Sequence, residues 1–371
     1  MAKRQIPVIV LAGFLGSGKT TLLNHLLSRS GGSRIGVVVN DFGSIEIDAM
    51  SVAGQVDSMV SLGNGCLCCA VDTSELDGFL DRLARPAARI DVIVIEASGL
   101  AEPQELIRMI LASDNTSIVY GGLVEVVDAA EFAGTRARHP EIDRHLALAD
   151  LVVLNKADRV PEDARRALRE ELGRIGRPGT PVVEASYGRV DPELLFDRKP
   201  REEDTAAIRQ LSFEDLVREE RERADAREHG HGADGHGDGC TDGCADACGH
   251  GAHLHAAYDS VAFTADGPMD PRRLMDFLDN RPDGLYRIKG YVRFGAAGHR
   301  RTRYEVHAVG DFLRFYATPA ARGEDGPTEL VLIGTGIDPE ALRSGLEACR
   351  HLAEEDAEEH TMWGVLRYAQ G

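Results

Sequence analysis

Gly13-Phe14-Leu15-Gly16-Ser17-Gly18-Lys19-Thr20 follows directly on the apolar run Ile6 to Val10 and leads into Leu22, Leu23, Leu26 and Leu27 at helical spacing. No other stretch of the chain limits the fold so tightly. The segment fits GxxxxGK[ST], a loop in which successive backbone N–H groups and a helix N-terminus surround a phosphate chain. A Cβ at Gly13, Gly16 or Gly18 would hold the backbone away from phosphate oxygens, and Ser17 and Thr21 complete the cradle. Lys19 is placed to reach β and γ oxygens, and the Thr20 hydroxyl to ligate Mg²⁺. Strand, glycine loop and helix in that order predict the first unit of a parallel sheet.

Further apolar runs at Ile35 to Val39, Ile90 to Ile95, Leu123 to Val127, Leu151 to Leu154 and Pro181 to Glu184 alternate with helical patterns. That alternation predicts an α/β domain with a mostly parallel, doubly wound sheet, and ligands then gather at the carboxyl ends of its strands. The polar residues after each run therefore become site candidates. Asn40-Asp41-Phe42-Gly43 stands where a nucleotide switch belongs, with a plain turn as the alternative, and Asp41, Asp48 or a backbone group are candidates to position water. Glu96, at the tip of its run, is placed for Mg²⁺, and Gly99 to present an N–H to a γ-phosphate. Asn155-Lys156-Ala157-Asp158 fits NKxD: a carboxylate at Asp158 accepts from the guanine N1–H and exocyclic amine, Asn155 supports the base, and the Lys156 stem packs on its face. Adenine lacks that donor pair, so the motif selects GTP over ATP. Ser186 is placed to close over the base.

Six of the seven cysteines fall in two clusters. Gly63-Asn64-Gly65-Cys66-Leu67-Cys68-Cys69 offers three thiols from a tight turn, a donor set suited to Zn²⁺ or Cu(I), with a buried or redox-active cluster as the alternative. The second cluster lies in a tract too poor in large apolar side chains to build a core. There His229, His231, His236, Cys240, Cys244, Cys248, His250, His253 and His255 recur among glycine and alanine, as an accessory metal-collecting tether or a plain linker. Cys349 reads as a small buried apolar side chain. His139 and His145 have no partner pattern and are expected at the surface.

A formal charge of −19 excludes an extended nucleic-acid surface, which needs clustered cations. The N-terminal apolar run passes straight into the glycine loop without a cleavage-like site, and no stretch approaches ~18 uninterrupted apolar residues. A cytoplasmic protein without a membrane span is expected. Residues 1–197 form the nucleotide domain, 198–257 a charged linker containing the His/Cys tract, and 258–371 a smaller α+β domain. In the last, strands are expected at Ser260 to Thr264, Leu285 to Phe294, Arg303 to Ala308, Phe312 to Ala317 and Glu329 to Ile333. Helices are expected at Pro271 to Asp279 and Pro339 to Leu352, each with Pro behind an Asp cap. Arg287-Ile288-Lys289-Gly290 reads as a basic strand edge or a binding motif.

GFLGSGKTTL, NDFG, NGCLCC, EASGLAEP and NKAD in this order resemble the CobW-type GTPases, a family associated with metal delivery. The likeness spans residues 6 to 196, and Tyr258 to Leu352, with YRIKG, resembles the family's C-terminal domain. It implies GTP hydrolysis with Mg²⁺ coupled to delivery of a transition metal, usually Zn²⁺ and in some branches Co²⁺ or Fe²⁺, to a client metalloprotein. It also implies Cys66, Cys68 and Cys69 as the internal metal ligands, with oligomerisation possible. The chain departs from the family at Asp41, commonly Glu, and at Ser44, often acidic. A metal buffer that binds ions without GTP-driven transfer, or a redox-sensing GTPase, would share the same motifs.

Overall fold

In β1 (Ile6–Ala12) alternate residues bury on opposite faces: Ile9 and Leu11 on one side, Val8, Val10 and Ala12 on the other. A strand apolar on both faces belongs inside a covered parallel sheet, and that is where β1 lies. The computed structural model describes residues 5–39, 58–61, 73–98, 102–197, 258–319, 326–352 and 357–370. Within them β1 joins β2 (Ile35–Val39), β3 (Ser58–Ser61), β4 (Val92–Glu96), β5 (Ile118–Asp128), β6 (Leu151–Asn155) and β7 (Val182–Glu184). The order is β3-β2-β4-β1-β5-β6-β7 and every neighbouring pair is parallel.

Helix α1 (Lys19–Ser28) covers one face through Leu22, Leu23 and Leu26. The other face is covered by α2 (Thr73–Leu83) and α3 (Pro103–Ala112), and beyond β5 by α4 (Phe132–Arg138), α5 (Ile142–Leu148) and α6 (Glu162–Ile175). The expected doubly wound sheet is therefore present. Two strands differ from expectation: β3 is an additional edge strand, and β5 begins at Ile118 rather than Leu123, with a register shift against β1 between Val8 and Ile9.

The second sheet contains β8 (Asp259–Ala265), β9 (Leu285–Arg293), β10 (Thr302–Val309), β11 (Phe312–Pro319), β12 (Thr328–Gly334) and β13 (Ala369–Gln370), in the order β13-β11-β10-β9-β12-β8. Its strands are antiparallel apart from the β11–β13 pair. Helices α7 (Pro271–Asp279) and α8 (Pro339–Ala348) cover one face. Each starts as expected: Asp270 accepts from the N–H of Arg272 and Arg273, Asp338 from those of Glu340 and Ala341. α8 stops at Ala348, short of the expected Leu352, and Cys349 is buried. β9 lies inside the sheet and not at its edge, so Arg287 and Lys289 are no basic rim; both pair with Asp197.

The sheet's other face meets the first sheet. Tyr286, Val309 and Ile333 join the core beneath α1. His307 Nε2 lies 3.0 Å from the Tyr120 carbonyl oxygen, and burial pushes this imidazole down to about 3. A neutral ring facing a carbonyl must carry its proton on Nε2. Nearby, buried Asp150 accepts from the Tyr120 hydroxyl at 2.6 Å, from Leu123 N–H at 2.9 Å and from Arg177 at 2.6 Å. Both sheets belong to one compact unit. Among the described residues no helix is long and apolar enough to cross a membrane.

Candidate nucleotide site

The loop after β1 requires glycine. Gly13 has φ +138, and a Cβ there would stand 2.3 Å from the Val126 carbonyl oxygen on β5; at Gly18, φ +103, it would stand 2.2 Å from Asn155 Nδ2. The loop is thus pressed against two neighbouring strand ends. α1 begins at Lys19 behind Gly18, which has no side chain to cap it, so the first-turn N–H groups keep their capacity to meet an anion.

Lys19 is buried, with Nζ 2.9 Å from the Gly13 oxygen and 3.4 Å from the Phe14 oxygen. Phosphate oxygens placed in the loop would compete for those same N–H donors. The Thr20 hydroxyl donates to Glu96 Oε1 at 2.7 Å, which joins the start of α1 to the tip of β4. Both are hard oxygen donors, one of them a carboxylate that is only 3% exposed, and this set fits Mg²⁺.

On the other side of the loop, Asn155 Nδ2 donates to the Ser17 carbonyl oxygen at 2.9 Å while its Oδ1 accepts from Gly188 N–H at 2.9 Å. One buried amide therefore ties the phosphate loop to the segment after β7 that carries Ser186. Lys156 has φ +59, and its Nζ meets Asp128 at the end of β5 at 2.6 Å. Asp158 is exposed in the short turn Ala157–Arg159 and Ser186 is partly buried. Thr21 is exposed and Ser17 buried. A cavity of about 250 Å³ adjoins this edge, lined in part by Phe14, Gly16, Asp128, Thr135 and Lys156.

Lys19, Thr20, Glu96, Asn155 and Lys156 are thus gathered at the carboxyl edge of one parallel sheet. Asp41, Asp48, Gly99, Cys66, Cys68 and Cys69 lie outside the described residues, as do His229, His231, His236, Cys240, Cys244, Cys248, His250, His253 and His255. Three residues escape sequence reasoning. Asp128 partners Lys156. Glu125, on β5 opposite Ala12, is wholly buried, and burial lifts its carboxyl to about 8 against the opposing pull of Lys19. A lone Glu inside the run Leu123 to Val127 was the available signal. His145 corrects the surface assignment: it is 5% exposed because the apolar face of α5 carries it inward with Ile142 and Leu146. His139 is partly exposed and packs on Phe14.

Two family descriptions match in tandem: the nucleotide-binding domain of CobW/HypB/UreG over residues 7–184, and the cobalamin synthesis protein CobW C-terminal domain over 258–350. The chain belongs to the CobW family. Among curated relatives, a protein named zinc chaperone CobW from Sinorhizobium sp is 29% identical, over 93% of this chain and 97% of its own length. Zinc chaperone YjiA of Escherichia coli K12 is 32% identical over 52% of this chain and 61% of its own. Zinc-regulated GTPase metalloprotein activator 1 of Schizosaccharomyces pombe is 32% identical over 50% and 47%. The CobW-family alignment from Sinorhizobium thus runs through both sheets, whereas the other two cover about half of this chain.

Proposed function

We propose that this protein is a GTPase that binds zinc and passes it to a client metalloprotein in the cytoplasm. The observation that carries the reading is the juxtaposition of Lys19, the Thr20–Glu96 pair and the Asn155 cross-link at one strand edge. The names of the relatives, zinc chaperone and zinc-regulated GTPase, support the cargo and the reaction.

Each group then has a task. Loop N–H groups and Lys19 hold the β and γ phosphates and offset the charge that accumulates in transfer. Thr20 and Glu96 would hold Mg²⁺, which supplies further charge neutralisation at the phosphates. Asn155 keeps the base loop and the phosphate loop in register, so both ends of the nucleotide are read by one rigid frame, and Asp158 selects guanine. Cys66, Cys68 and Cys69 are the proposed zinc thiolates, Asp41 the proposed water-positioning group, and the tract from His229 to His255 an accessory donor set. Three thiols are softer donors than the Thr20–Glu96 oxygens, which keeps zinc and magnesium at separate sites.

Metal titration tests this. GTP turnover measured against buffered free Zn²⁺, Co²⁺ and Fe²⁺ should respond to zinc at the lowest free concentration. Turnover indifferent to all three metals would contradict a coupled chaperone and leave a GTPase that only buffers metal.

A further inference from the structure

The Phe14 side chain, inside the phosphate loop, carries no polar group, yet it sits against two imidazoles. Its ring centroid is 4.8 Å from that of His139 and 6.3 Å from that of His145, the latter stacked at an interplanar angle of 27°. His145 Nε2 is buried, lies 3.6 Å from Glu102 Oε2, and makes no hydrogen bond among the described residues. Glu102 is the N-cap residue of α3, the helix that follows the Glu96 strand. A single buried ring therefore touches both the phosphate loop and the start of the helix beyond the Glu96 carboxylate.

We propose that His145 is a positioning residue for the nucleotide reaction, acting through Phe14 and Glu102 to hold the phosphate loop in register with α3. The proposal rests on the reading of the loop as a GTP site. A flat ring suits the place, because its face packs on Phe14 while its edge points a nitrogen at a carboxylate. An aliphatic side chain could satisfy the first contact only.

The charged and titratable groups around His145 come from three directions. Glu102 faces it from α3, Arg144 and Glu141 from its own helix and the turn before it, and His139 shares the Phe14 ring, with Glu141 Oε1 3.1 Å from His139 Nδ1. Arg144 also approaches Glu102 Oε1 at 3.4 Å. Burial, the largest influence, holds His145 below its ordinary 6.5, and Glu102 opposes it. The ring is therefore neutral at neutral pH. Protonation converts a neutral contact into an ion pair that draws the Glu102 carboxylate toward the ring and away from Arg144, which changes how α5 is held against the residue that starts α3.

The test uses the full-length protein with His145→Gln and His145→Ala, and measures GTP turnover from about pH 5 to 8, the range in which a histidine changes charge, with the change expected at the acid end because burial holds this ring below 6.5. At pH about 7.5, Gln, which retains an N–H to aim at Glu102, should stay within about threefold of the parent kcat, while Ala should lose about tenfold or more with KM for GTP little changed. The parent should lose kcat on the acid side and the Gln variant should not. Parent-like kcat in the Ala variant, equal losses in Gln and Ala, or a change confined to KM would each overturn the proposal. A second measurement does not depend on turnover. In the parent protein the His145 ring resonance, assigned by comparison with the Gln variant, should shift when GDP is added. GDP binding by calorimetry with that resonance unmoved overturns the role of His145, whereas absence of GDP binding overturns the nucleotide reading itself.

Discussion

Glu125→Gln should change the pH dependence of stability in a direction the structure dictates. Glu125 is 0% exposed on β5, and neither carboxyl oxygen has a hydrogen-bond partner among the described residues. Burial lifts its pKa from 4.5 to about 8, with Lys19 opposing. The folded protein then holds this proton more tightly than the unfolded chain, so the group's contribution to stability is full below 4.5 and is lost as pH rises toward about 8. At about 1.4 kcal/mol per pH unit the whole interval amounts to roughly 4–5 kcal/mol. Glutamine has nearly the same shape and no charge to suppress, and its own buried amide adds an offset that does not vary with pH. Urea unfolding of both proteins, followed by circular dichroism at matched pH, should show the variant gaining on the parent by roughly 2–3 kcal/mol between about pH 5.5 and 7.5. A difference that stays flat over that range would refute the claim that Glu125 is folded as a neutral acid.

Two further substitutions probe the base loop and the junction of the sheets. Asp158→Asn should exchange the preference for GTP over ATP for a preference for xanthine nucleotides, because an amide donates where the carboxylate accepted; competition binding with GTP, ATP and XTP reads it, and unchanged GTP preference would remove Asp158 from the base site. Arg177→Met should cost about 3 kcal/mol or more, since Asp150 is 5% exposed on its side chain and loses its cationic partner. Denaturant unfolding reads that loss, and a variant as stable as the parent would show that Tyr120 and Leu123 suffice for the carboxylate.

Local patterning carried much of the fold. Apolar runs placed β1, β2, β4, β6 and β7 nearly to their ends, and an Asp-Pro pair placed the starts of α7 and α8. What was missed depends on contacts far apart in the chain. β5 was cut short because Gly121 and Gly122 break its pattern, yet Gly122 is where the strand comes against Val309 and Tyr286 of the second sheet. β3 is four residues with Ser at each end, too short for periodicity to register, and parallel pairing with β2 makes it a strand. His145 looked like a surface residue because the groups it meets across the fold, Phe14 and Glu102, are far from it in sequence and left no local partner pattern. The phosphate-loop and NKAD motifs were legible as motifs; that Asn155 joins them across 138 positions was not.

The central proposal is that GTP binding and zinc binding are coupled, and zinc-binding calorimetry with and without a non-hydrolysable GTP analogue tests it most directly. Zinc affinity should differ by roughly 5- to 150-fold between the two states, with the same factor recovered for the analogue when zinc is added first. The variant with Cys66, Cys68 and Cys69 all replaced by Ser should still bind the analogue, lose the tightest zinc site and lose the coupling with it. Equal zinc affinity in the presence and absence of the analogue in the unmodified protein would contradict the account.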